Sequence, residues 1–195
     1  MMNKPQRVAP PRSREQLEEL AWQARGYFGL RPFERVPITK ILEFIMYEHI
    51  PGYQFNVADA GALGGAEAVT SAAKPHITFD LRTYESLCRD HPRSRMTAAH
   101  ELGHLLLHTG QTGLAFMRKP DPQVDLERQA DIFAAAFMMP ECAFRKVKSI
   151  AEARSKFGVS RDAACCRARA LGMLWLIHDR KSRVKKKGYS MRRTP

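Results

Sequence analysis

The sequence predicts an α+β protein, mostly helical, with a small antiparallel sheet of about three strands beside one apolar helix. Three observations carry this prediction. Apolar residues recur at three- and four-residue spacing in several stretches bounded by capping signals. Two short strand-like runs, Tyr53–Val57 and His76–Phe79, precede the most apolar helical stretch. That stretch, Thr97–His108, contains the pentapeptide His-Glu-x-x-His at His100–His104.

The elements follow in order. Ser13 and Gln16 form a capping-box pattern, and Leu17, Leu20, Ala21, Ala24 and Phe28 then recur at helical spacing. A second helix is predicted from Pro37, with Ile38, Ile41, Leu42, Ile45 and Met46 on one face, and Pro51-Gly52 ends it. Ala60–Lys74 is rich in Gly and Ala and reads as a loop or irregular hairpin. The strand His76–Phe79 is read either as a plain sheet strand or as an edge to which an extended peptide is added.

The motif helix is predicted from about Pro92 to Thr109, with Gly110 as its stop. Asp121-Pro122 reads as the start of a further helix that runs to Met139 and halts at Pro140. Two more helices are expected at Cys142–Phe157 and Arg161–Leu171, separated by Gly158 and Ser160. The resulting division has a disordered basic tail at 1–12, a core domain at 13–140, a helical region packed on it at 141–180 and a disordered basic tail at 181–195.

Composition excludes several classes. No apolar stretch reaches membrane-spanning length, and Met1–Arg14 carries no signal-peptide pattern, so the expected location is the cytoplasm, with no membrane partner. Cys88, Cys142, Cys165 and Cys166 have neither disulfide-framework nor Cys-x-x-Cys spacing and read as reduced thiols. The net charge of +12 is uneven: Lys181–Pro195 holds seven cations and no acid. Such a tail can grip nucleic acid through phosphates or simply be solvated, and the solvated reading is preferred. The sequence sets no oligomeric state.

The pentapeptide supplies the chemistry. Histidines four residues apart stand on one helical face, one turn above the other, so both rings reach one metal ion. Glu101, beside the first of them, is then placed as base for a metal-activated water. A catalytic site of this kind needs a third protein ligand. His108 continues the stripe, but eight residues at about 1.5 Å rise put it roughly 12 Å from His100 along the axis, too far for bonds of about 2 Å. It therefore reads as a neighbour of the ligands or an interior histidine. Leu107 and Gly110 stand where a metzincin continuation would need glycine and histidine.

Glu127 is the better third ligand. Glu127, Ala130, Asp131, Ala134, Phe137 and Met138 share one face of the next helix. Carboxylates among such apolar side chains are costly to bury unless a cation compensates them. A metal on Glu127 would do so, and Asp131 one turn later is placed to accept the other ring N–H of a ligating histidine. The alternative is a partly exposed face on which both acids are solvated. For the donor that would stabilise a tetrahedral oxyanion, Tyr84, His76 and Arg95 all remain open.

These residues resemble the ImmA/IrrE family of metallopeptidases, related to the wider zincins. The similar stretches are Arg93-x-Arg95-Met96-Thr97-x-Ala99-His100-Glu101-Leu102-Gly103-His104-x-x-Leu107-His108, and then Glu127-x-x-Ala130-Asp131-x-Phe133-Ala134 ending in Met139-Pro140. Asp131 stands where the family often has asparagine. The resemblance implies a zincin-like domain, zinc ligands His100, His104 and Glu127, and Glu101 as catalytic base. It also implies Zn2+ as the cofactor and a helix-turn-helix transcriptional repressor as substrate, cleaved to relieve repression of stress, mobile-element or toxin–antitoxin genes; the donor set itself also admits Mn2+.

Two other readings fit parts of the chain. Residues 151–172 read as helix, turn and a helix bearing Arg161, Arg167 and Arg169, the pattern of a DNA-binding regulator assisted by the basic tail. A zinc-bound but catalytically silent interaction module would keep the metal ligands without needing Glu101 as a base.

Overall fold

In the computed structural model, residues 11–71, 73–109 and 125–178 are described. The tail at Lys181–Pro195, most of the N-terminal tail, the Gly110 stop and the Asp121-Pro122 start lie outside them. The element order is α1 (Arg14–Tyr27), α2 (Ile38–Lys40), a π-turn (Ile41–Ile45), α3 (Met46–His49), β1 (Gln54–Ala58), β2 (Ala68–Thr70) and β3 (His76–Asp80). Then come α4 (Leu81–Cys88), α5 (Pro92–His108), α6 (Leu126–Met138), α7 (Glu141–Phe144), α8 (Ile150–Phe157), α9 (Arg161–Ala170) and α10 (Trp175–His178). The α+β class holds.

The local signals act as expected in most places. Ser13 and Gln16 close a reciprocal capping box, the Gln16 N–H donating to Ser13 Oγ at 3.3 Å and the Ser13 N–H to Gln16 Oε1 at 2.8 Å. Ile38, Ile41, Leu42 and Met46 are all fully buried, though the helix that carries them widens into a π-turn at its centre. Gly158 adopts φ +65° as the left-handed cap of α8, and Ser160 caps α9 through the Ala163 N–H.

Three expectations are corrected. The sheet is mixed, not antiparallel: its order is β1-β3-β2, with β3 parallel to β1 and antiparallel to β2. The short turn between β2 and β3 forces those two strands antiparallel, whereas the longer Gly-containing loop after β1 leaves room for β3 to slot between. Gly61, Gly64 and Gly65 in that loop all have positive φ, open to glycine without steric cost. His76–Asp80 is consequently the central strand and offers no edge; the edges belong to β1 and β2.

The predicted helix Cys142–Phe157 is two helices, because the Ser149 side chain accepts from the Glu152 N–H and starts α8 afresh. Among the described residues α6 runs from Leu126, capped by Asp125, whose carboxylate accepts from the Arg128 N–H at 2.9 Å.

Helix α5 lies at the centre of the packing. Ala98, Ala99, Leu102, Leu105 and Leu107 are fully buried on it, and Phe133, Ala134, Phe137 and Met138 of α6 are buried with them. Ile77 and Phe79 of β3 complete the core from the sheet. Arg95, 3% exposed, ties the start of α5 to distant chain: its guanidinium donates to the carbonyls of Val36 (2.9 Å) and Gly158 (3.0 Å) and to Asp90 (2.7 Å). The C-terminal helices are thereby held against the motif helix. Among the described residues no helix is long and apolar enough to cross a membrane.

Candidate metal centre

The rings of His100, His104 and His108 climb one face of α5, with centroid separations of 4.6 and 5.1 Å. Helix α6 runs beside them and places Glu127 against the first two. His100 Nε2 is 2.9 Å from His104 Nε2 and 3.1 Å from Glu127 Oε2, and His104 Nε2 is 3.3 Å from Glu127 Oε1. Donor atoms from the three residues all lie within 4.8 Å of one another. Tetrahedral coordination with bonds of about 2 Å separates ligand atoms by about 3.3 Å. The group fits one small divalent cation.

The outer partners of the rings differ. His100 Nδ1 is 2.9 Å from Asp131 Oδ1, so its N–H is committed to a carboxylate and Nε2 faces the cluster. Burial acts to lower the His100 pKa, but the Asp131 hydrogen bond and the charges of Asp131, Glu101 and Glu127 outweigh it, and the net shift is upward. His104 Nδ1 instead meets His108 Nδ1 at 3.0 Å. His108 is pushed down to about 3, by burial first and then by the charges of His104 and Arg12, so it is a neutral imidazole that can accept the His104 N–H. Gln129 of α6 is its polar neighbour. His108 is thus a partner of a putting-in-place kind for His104, not a member of the three-residue cluster.

One expectation about α6 fails. The Glu127 and Asp131 side chains are 74% and 73% exposed, so no burial penalty demands a cation. What selects them is position: one turn apart on α6, they meet the two ring nitrogens of a single histidine. Glu101, by contrast, is 7% exposed, and Thr70 Oγ1 of β2 donates to its Oε2 at 2.6 Å.

None of the three residues considered for an oxyanion hydrogen-bonds to this cluster. The Tyr84 hydroxyl donates to Glu43 at 2.7 Å, Arg95 is buried among carbonyls, and His76 sits on the sheet with Asn56 and Thr78. Two residues with a part in the site were missed. Thr70 fell inside a stretch read as loop, although Val69-Thr70 is a β-branched pair. Gly103 was read only as part of a motif, yet it lets α6 approach α5.

Residues 85–169 match the family model for the IrrE N-terminal-like domain, peptidase M78. The match supports membership of the ImmA/IrrE family. The family segment starts inside α4 and runs past Pro140 into α9, so it includes both helices of the metal centre, α7, α8 and nearly all of α9. No curated protein matches the chain. Within the matched segment the helix pair α8–α9 presents fewer cations than the sequence suggests. Arg167 is 1% exposed, bound to Glu18 and to the Met139 carbonyl, which leaves Arg161 and Arg169 on the surface of α9.

Proposed function

We propose that the chain is a zinc-dependent endopeptidase acting in the cytoplasm on a helix-turn-helix transcriptional repressor, so that cleavage relieves repression. The observation that carries the peptidase reading is the convergence of His100 Nε2, His104 Nε2 and the Glu127 carboxylate, with Glu101 one residue from the first ligand. The repressor as substrate rests on the family resemblance.

In this reading His100, His104 and Glu127 hold zinc, and Mn2+ is the alternative ion for the same donors. Zinc, when bound, polarises the scissile carbonyl and acidifies a water molecule. Glu101 would serve as the general base toward the attacking water and as the proton donor to the leaving amine. Asp131 and His108 keep the two ring N–H groups occupied, so that each histidine offers Nε2. An extended substrate segment pairs with β2, which among the described residues is hydrogen-bonded to β3 on one side only and lies against α5.

The test is incubation of the purified protein with helix-turn-helix repressors encoded beside its gene, with and without chelator. One discrete, chelator-sensitive cut is expected, and Glu101→Gln should keep zinc while abolishing it. Regulation of the partner that survives Glu101→Gln intact would replace this reading with that of a non-catalytic, zinc-bound module.

A further inference from the structure

The proposed base is not left free in the structure. Glu101 is buried, and its carboxylate takes a hydrogen bond of 2.6 Å from the Thr70 hydroxyl, in the range of charge-assisted O–H···O bonds. The same hydroxyl lies 3.1 Å from the Glu101 backbone carbonyl, so Thr70 touches both ends of one residue. Thr70 is the last residue of β2, paired in register with Ile77 on the face that packs toward α5. A β-branched side chain has few χ1 choices, so the strand itself sets where this hydroxyl points. The Glu101 side chain has three torsions and, without such a partner, several places for its carboxylate.

We infer that Thr70 is a positioning residue that holds the Glu101 carboxylate in one orientation and ties it to the edge strand β2. This deepens the peptidase reading and rests on it. A peptide segment that pairs with the side of β2 that has no strand partner among the described residues orders the strand bearing Thr70, and thereby orders the base. Substrate docking and base placement are coupled through one hydroxyl. The contact has no part in metal binding, since Thr70 touches none of His100, His104 or Glu127.

The experiment has two arms. In the first, Thr70→Val, Thr70→Ser and the parent protein, loaded with zinc, are assayed on a randomised internally quenched peptide library, with kcat and KM taken on the member cut fastest. Valine keeps shape and strand propensity but removes the donor. It should lower kcat about tenfold or more at unchanged zinc content and nearly unchanged KM, and serine should restore most of the rate. A parental kcat in Thr70→Val, or a Thr70→Ser as slow as Thr70→Val, overturns the inference.

The second arm needs no turnover: urea unfolding of Thr70→Val, Glu101→Met and the double variant in the zinc-free full chain. If the two side chains hold each other, the double variant shifts the midpoint little more than the larger single change. Additive shifts overturn the inference. A parent that cleaves nothing while the shifts stay non-additive would refute the peptidase reading and leave the Thr70–Glu101 tie standing, so the two failures are told apart.

Discussion

A Cβ added to Gly103 would stand 3.3 Å from both the Cα and the carbonyl oxygen of Ala130, so α5 and α6 meet at backbone distance between the two histidines of the cluster. Phe133 Cδ1 closes the same point at 3.2 Å. This approach is what lets Glu127, one turn before Ala130, lean across to His100 and His104.

The first prediction follows from that contact. Gly103→Ala adds a methyl against the Phe133 ring edge and the Ala130 backbone, so α6 must shift by a few tenths of an ångström. Overpacking of this kind costs about 1–3 kcal/mol. Thermal unfolding should show the loss, and zinc affinity by competition with a chelating dye should fall with it. A larger side chain such as valine should do more harm on both measures.

Asp131 is expected to matter through orientation. Its carboxylate accepts the His100 Nδ1–H, and losing such a partner typically weakens metal binding by about 10–100-fold. Because the pair is solvent-exposed, Asp131→Ala should fall near the lower end, and Asp131→Asn, which keeps an acceptor oxygen, should lie between it and the parent. Equilibrium zinc titration of the three proteins checks the order.

Zinc uptake should depend on pH through His100. In the metal-free protein the surrounding carboxylates favour its protonated form and raise its pKa. Metal needs the neutral ring, so affinity is full above the raised pKa and falls as pH drops through it, with one proton released per His100 engaged. For the metal-free fold the sign is opposite. A raised folded-state pKa gives stability that is present below the unfolded value of about 6.5 and is lost as pH rises through the folded one. Zinc titrations in two buffers of different ionisation heat, followed across neutral pH, would expose the released proton.

Arg95→Met should be among the more destabilising single changes. It deprives the buried carbonyls of Val36 and Gly158 of their donor and releases Asp90. Each unsatisfied buried group costs about 1–3 kcal/mol, so about 2–6 kcal/mol is expected for the two carbonyls in urea unfolding. The effect should appear as reduced stability and not as a lost catalytic donor: at a temperature where the variant is folded, zinc affinity should match the parent.

The legible and illegible parts of this chain divide along one line. The His100–Glu101–His104 stripe, the Ser13 box, the Gly158 and Ser160 punctuation and the helical majority were all readable, because helix periodicity and capping depend on residues within about four positions. Glu127 and Asp131 were reachable by the same periodicity, although their pairing with His100 was not. Only tertiary packing decided that they converge on one ring, through the close pass at Gly103. It also placed β3 in the middle of a mixed sheet, since strand order depends on how loops cross and not on any strand's own residues. And it set Thr70, drawn from an apparent loop, against Glu101, while sequestering Tyr84 and Arg95 in other bonds. Local spacing placed His100, Glu101 and His104 together on one helix; contacts between segments far apart in the chain gave those three residues their partners.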